Sequence, residues 1–178
     1  MNNLMITAWK KIKEEPIWTG FRKLTKKTFQ LSENKIIDFE IKNEGRVVSV
    51  LALTPDNKVI LAKQFRPGPE KILMEIPGGV VDADENPEQS AERELLEETG
   101  YKGNLKFVGT NWHCAYSDTL RYNFVATNCQ KIQEQKLEDN EFAEIVEMSL
   151  DDFKKHLQTG ELTNTECGYL GLNYLGML

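Results

Sequence analysis

Apolar positions along the chain recur with two periods, and they divide it into short strands and a few helices. Residues 46–53 (RVVSVLAL) and 58–65 (KVILAKQF) are rich in β-branched side chains and flank Pro55-Asp56-Asn57, so they read as a hairpin that begins the main sheet. Upstream, LTKKTFQL and KIIDFEI lie within residues 22–41, alternate imperfectly around Ser32-Glu33-Asn34, and suit two further strands. Two strands alone are marginally stable, so this piece needs the rest of the chain or a second copy to pack on. Residues 1–18 hold a short amphipathic segment with Trp9, Ile12, Ile17 and Trp18, the first part of which reads as a loose helix or arm. Residues 64–79 (QFRPGPEKILMEIPGG) add a short strand and a Pro-Gly-Gly bend, where glycine permits close backbone approach. Later strands are expected at 105–113, 120–128 and 142–148. A helix opened by Ser149 and Asp152 should end at Gly160, and Asn164 should cap a last helix running toward Tyr174. Strand, helix, strands and helix in this order make an α/β layered fold.

The strongest local signal is GVVDADENPEQSAERELLEETGY, residues 79–101. Asn86 is an N-cap, Pro87 suits the first helical position, Gln89 completes a capping box, and Gly100 suits a left-handed C-cap. These signals predict a helix over residues 87–99. On it Glu94, Glu97 and Glu98 stand at i, i+3 and i+4 on one side, beside an apolar stripe of Ala91 and Leu95. Like charges so spaced cost roughly 0.2 to 0.5 kcal/mol per pair, and acids in a last turn oppose the helix dipole for roughly 0.3 to 1 kcal/mol more each. Arg93 can pair with Glu97, but it does not balance these acids together with Glu85, Glu88 and Glu92. A divalent cation would, since hard carboxylate oxygens suit Mg²⁺ or Mn²⁺. A solvated acidic helix face presents the same charges, so the charge pattern leaves both readings open.

Composition narrows the classes. The 178 residues suffice for one well-buried core, or for one domain with a small appendage. No run of about 18 apolar residues is present to span a membrane, and MNNLMITAWKK lacks the order of a signal peptide, so a cytoplasmic protein is expected. Cys114, Cys129 and Cys167 are odd in number and widely spaced, which supports neither a disulfide framework nor a zinc site. Residues 1–44 carry nine Lys and Arg against six acids, whereas residues 45–178 carry thirteen against twenty-two. So acidic a chain argues against nucleic acid as a partner, and an anionic substrate would need metal ions to enter its site. His113 and Cys114 do not make a nucleophile and base, because adjacent strand residues point to opposite faces. His156, on a C-terminal helix, reads as structural.

The spacing within the acidic stretch is Gly79, five residues, Glu85, seven residues, Arg93-Glu94-Leu95, one residue, Glu97-Glu98, one residue, then Gly100 and Tyr101. This resembles the signature box of the Nudix hydrolases, and only Tyr101 departs, standing where an aliphatic residue is usual. The resemblance implies a Nudix fold, a mixed β-sheet between helices, with residues 45–178 as the hydrolase domain and residues 1–44 as a β segment for dimerisation and base binding. It further implies Glu94, Glu97 and Glu98 as Mg²⁺ ligands, with Mn²⁺ as a substitute, Glu85 nearby, and the Gly78 carbonyl as a further ligand. The run Leu73 to Gly79, the Gln-Phe-Arg ending at Arg66, and Gly160-Glu161-Leu162-Thr163-Asn164 are similar to the ADP-ribose and nucleoside-diphosphate-sugar diphosphatases, which are homodimers.

In that branch Arg66 would contact the substrate diphosphate, for which a guanidinium fork is suited, and Glu75 would lie near the metals. The general base would come from Leu137-Glu138-Asp139-Asn140-Glu141, with Glu141 first and Asp139 second, or it would be Glu98 as in other branches. The expected reaction is Mg²⁺-dependent cleavage of a nucleoside diphosphate sugar to a nucleoside monophosphate and a sugar phosphate. Members specific for ADP-ribose usually carry a proline shortly beyond the box, and Cys114-Ala115-Tyr116-Ser117-Asp118 has none, which brings GDP-mannose into contention. Tyr116 also suits a substrate-binding role, including one on capped RNA or dinucleoside polyphosphates. A non-catalytic nucleotide-sugar sensor is the remaining rival, and such modules typically lose box carboxylates that this chain keeps.

Overall fold

A computed structural model describes residues 6–137 and 142–178, and it divides the chain into two compact units. The first comprises the chain up to Gly45 together with Trp112–Thr119. It is an antiparallel sheet of β1 (Lys10–Thr19), β2 (Lys23–Ser32) and β3 (Lys35–Asn43) in that order. The expected helix or arm at the N-terminus is instead strand β1. Cross-strand pairing overrides local propensity here: Glu15 bridges Lys13 and Lys26, and Pro16 stands on an edge strand, where its missing N–H is tolerated. Trp9, Phe29 and Phe39 pack together with ring centroids 5.7 to 6.3 Å apart, and Tyr116 stacks on Phe39 at 6.3 Å. The Trp112–Thr119 loop joins this sheet through Lys42 N–H to the Tyr116 carbonyl, 3.0 Å, and Asp118 N–H to the Lys42 carbonyl, 3.1 Å.

The second unit is the α/β layer. Strand β4 (Arg46–Leu53) pairs in parallel with β8 (Leu120–Lys131), which lies beside β7 (Tyr101–Trp112). Strand β5 (Val59–Arg66) meets β4 only at its start, where Ile60 faces Ala52, and then diverges to pair with β6 (Lys71–Glu75). Strand β9 (Ala143–Met148) takes the other edge of β5. A fork therefore opens between β4 and β5. Helix α1 (Pro87–Thr99) covers one face of the sheet, and α2 (Leu150–His156) with α3 (Thr165–Leu175) covers the other.

Covering both faces explains why RVVSVLAL is almost continuously apolar rather than alternating. Val48, Val50 and Ala52 pack toward Ala91 and Leu95 of α1, while Leu51 and Leu53 pack toward Phe153, Cys167 and Leu172. The predicted helix span is observed: the Asn86 side chain accepts from the Glu88 and Gln89 amides, Gln89 closes the box, and Gly100 adopts φ 76°. Burying Leu95 is worth about 1.5 to 3 kcal/mol, which offsets the repulsion among the acids on the neighbouring side. Carbonyls at the end of α1 are met by the chain after β8: Lys136 N–H donates to Glu97 at 2.8 Å, and Gln135 Nε2 donates to Glu98 at 2.6 Å. Tyr101, the departure from the family pattern, is buried and donates its hydroxyl to Glu147 on β9 at 2.7 Å. Among the described residues no helix is long and apolar enough to cross a membrane.

Cys114 is exposed, whereas Cys129 and Cys167 are buried in the two halves of the core. Burial pushes the Cys129 thiol from 9.0 up to about 11 and the Cys167 thiol to about 12. With the folded-state values raised, the stability these groups contribute is complete below pH 9 and is lost as the pH rises through about 11 and 12. The denaturant midpoint should therefore fall above pH 9, and fall less steeply in Cys129→Ala. A midpoint with the same alkaline slope in both proteins would contradict this assignment.

Candidate active site

After β6 the chain crosses the fork and lays residues 76–81 along the free edge of β4. Val50 N–H donates to the Pro77 carbonyl at 2.9 Å, Val48 N–H to Gly79 at 2.8 Å, and Val81 N–H to Arg46 at 3.0 Å. The crossing leaves no room for side chains. A Cβ on Gly78 would collide with the Val48 carbonyl and the Ser49 backbone, and one on Gly79 would collide with the Glu94 carboxylate. The Pro-Gly-Gly bend read from the sequence is thus a contact between β4 and α1. The Gly78 amide donates to Glu98 Oε2 at 2.8 Å, so the last of the three box acids is tied to the turn that carries the Gly78 carbonyl.

Arg93 organises the remaining acids. Its Nε donates to Glu85 at 3.1 Å, and its Nη1 to Glu94 at 2.9 Å and Glu97 at 3.1 Å. Nη2 donates to the Val80 carbonyl at 3.2 Å and lies 3.5 Å from Asp82. The expected i, i+4 pair with Glu97 is present, and the contacts to Glu85 and Glu94 add to it. Arg93 and Ser90 together hold the Glu85 carboxyl below the usual carboxylate range, and Glu85 in turn raises the guanidinium's pKa. Among the described residues no three carboxylates converge on one point, because Glu94 and Glu97 turn to Arg93 while Glu98 turns to Gly78.

At the other end of the turn stands Glu75, only 1 % exposed. It accepts from Arg66 Nε and from the Thr163 hydroxyl, so the two expected substrate contacts form an ion pair with each other. Arg66 retains 40 % side-chain exposure. Tyr116 belongs to the first unit, and Asp139 and Glu141 lie outside the described residues. Asn164 does not cap α3 as expected: its side chain donates to Ser49 Oγ and the Ile76 carbonyl, each at 3.1 Å. From sequence, Thr163 and Ser49 had no side-chain role and Asn164 only that of a cap, because their partners lie far away along the chain. His156 is buried with Nε2 2.8 Å from the Met74 carbonyl, a structural role as read.

Arg93→Lys keeps the charge but loses the fork, and it should lower the melting temperature at neutral pH by about 3 °C. The Glu85 part of that stability is present above pH 4.5 and lost as the pH falls through the depressed folded value. The gap between the two proteins should therefore narrow below pH 4.5 in thermal melts, and a constant gap would speak against the pairing.

Comparison with known proteins agrees with this geometry. A family model for the NUDIX domain matches residues 43–165. The chain is 33 % identical over 170 residues to the ADP-ribose pyrophosphatase of Bacillus subtilis, covering 93 % of this chain and 91 % of that protein. It is 30 % identical over 153 residues to the methanol dehydrogenase activator of Bacillus methanolicus, covering 84 % and 83 %. A crystal structure of an ADP compounds hydrolase superposes with a TM-score of 0.81 at 17 % identity, over 98 % of this chain and 99 % of the other, so the fold is shared. With the box acids gathered on one helix and the glycine turn seated against them, the chain belongs to the Nudix hydrolase family.

Proposed function

We propose that the protein hydrolyses the diphosphate bond of ADP-ribose or a closely related nucleoside diphosphate sugar, releasing a nucleoside monophosphate and a sugar phosphate. The observation that carries this reading is the continuity of the site: Arg66 and Glu75 stand at one end of the glycine turn and Glu94, Glu97 and Glu98 at the other. Similarity to the Bacillus subtilis protein named ADP-ribose pyrophosphatase supports ADP-ribose rather than GDP-mannose as the substrate of this chain.

The donor set suits a hard divalent cation. Glu94 lies against Gly79, Glu98 is anchored by the Gly78 amide, and Glu97 is held through Arg93, so carboxylates gather along one turn with a backbone carbonyl beside them. Glu94, Glu97, Glu98 and the Gly78 carbonyl would hold Mg²⁺ or Mn²⁺. When bound, such an ion would neutralise diphosphate charge and lower the pKa of water, so that hydroxide is available to attack phosphorus. Arg93 bridges Glu94 and Glu97 through one nitrogen and fixes the direction of both, while the Gly78 amide fixes Glu98. The exposed part of Arg66 can donate paired bonds to a phosphate oxygen while Glu75 sets its angle. For the proton of the attacking water, Glu141 is the first choice and Asp139 the second. Lys136, a few residues earlier in the chain, donates its N–H to the Glu97 backbone carbonyl.

The first unit also supports a homodimer. Trp9, Trp18, Phe21 and Ile36 are all more than half exposed on a three-stranded piece that buries little of its own surface. Light scattering should report twice the 20.4 kDa chain mass, and a monomer at micromolar concentration would exclude the dimer. With Mg²⁺ present, ADP-ribose should be turned over faster than GDP-mannose, UDP-glucose or diadenosine polyphosphates. Glu97→Gln should lose about 100-fold or more in kcat with its melting temperature unchanged or raised, because the substitution removes repulsion on α1. Wild-type turnover in Glu97→Gln would overturn the metal-site reading.

A further inference from the structure

Asn164 stands at the N-cap of α3, a position where asparagine normally serves its own helix, yet its side chain makes no capping bond. Its amide nitrogen instead reaches the Ser49 hydroxyl and the Ile76 carbonyl, and all three residues are buried. A carbonyl can only accept, so the nitrogen is the atom that faces Ile76. The amide oxygen is buried with no partner among the described residues, which is costly. Local helix energetics have given way to a contact 88 residues distant in the chain. The preceding residue behaves alike: the Thr163 hydroxyl donates to buried Glu75, whose other oxygen accepts from Arg66.

These two neighbouring residues therefore grip two consecutive residues, Glu75 and Ile76, where the chain enters the glycine turn. Thr163 reaches Arg66 through Glu75, and Asn164 reaches the carbonyl two residues before Gly78, whose amide holds Glu98. We propose that Thr163 and Asn164 are positioning residues for hydrolysis: Thr163 sets the Arg66 guanidinium by way of Glu75, and Asn164 sets the glycine turn against which Glu94 and Glu98 are seated. The inference rests on the diphosphatase reading for its substrate, and on the hydrogen bonds alone for its geometry. The two effects are separable. Losing the aim of Arg66 weakens ground-state and transition-state binding together, which appears in KM; loosening the turn disturbs the acids, which appears in kcat.

Thr163→Val, Thr163→Ser and Asn164→Ala in the full chain test this. With ADP-ribose and Mg²⁺, Thr163→Val should raise KM about tenfold with kcat within about twofold, and Thr163→Ser should restore KM. In an Arg66→Ala background, Thr163→Val should add almost nothing, because both act through one side chain. Asn164→Ala should instead lower kcat about tenfold. Amide exchange followed by NMR gives a readout that needs no substrate: the Gly78 proton should exchange about tenfold faster in Asn164→Ala and at the wild-type rate in Thr163→Val. Full additivity of Thr163→Val with Arg66→Ala would overturn the Thr163 role, as would a KM that serine fails to restore. Unchanged Gly78 exchange in Asn164→Ala would overturn the Asn164 role. An inactive wild type would sink the substrate reading while the exchange arm still decides the geometry, and Thr163→Ala replaces the valine variant if the latter does not fold.

Discussion

Contact between α1 and the edge of β4, with only two glycines between them, is the constraint from which the site follows. Gly78 presses on the β4 backbone and Gly79 on the Glu94 carboxylate. Interiors are close-packed, and a methyl group at Gly78 would force the turn away from the β4 backbone, while one at Gly79 would displace the Glu94 carboxylate. That contact also places acidic side chains beside backbone that would otherwise face water.

Such crowding of acids needs compensation, and the chain supplies it locally. Arg93 serves Glu85, Glu94 and Glu97 with one fork, while the Gly78 amide serves Glu98. Lysine, a point charge with rotatable donors, could not satisfy three carboxylates in fixed directions. Through the same pairings Glu94 and Glu97 meet at one Arg93 nitrogen while Glu98 meets the Gly78 amide. A bound cation would draw on groups already oriented along one turn.

The open fork between β4 and β5 joins this cluster to the rest of the second unit. Strand β5 abandons β4 after Ile60 to pair with β6, and the chain leaving β6 returns across the gap. Arg66 and Glu75 thereby lie on the strands that bound the fork, one end of the turn away from the box. Residues just before α3 close the arrangement from the opposite face of the sheet.

Much of this was legible in the residues themselves. Helix α1 was readable to its ends, because Asn86, Pro87, Gln89 and Gly100 act within a few residues of the groups they cap. Strand β4 was readable because burial on both faces leaves a continuous apolar run. The fixed spacing of Gly79, Glu85, Arg93, Glu94, Glu97 and Glu98 was enough to indicate the family. Strand β1 was misread because its charged residues favour no strand until β2 is beside them. Asn164 was misread because its capping propensity is local, whereas the Ile76 carbonyl it serves comes near only when β6 and α3 have packed. Local signals determined helices, turns and the set of acids; which donor each acid meets, and that Arg66 meets Glu75, was decided by tertiary packing, since those partners are brought together only by the folded sheet.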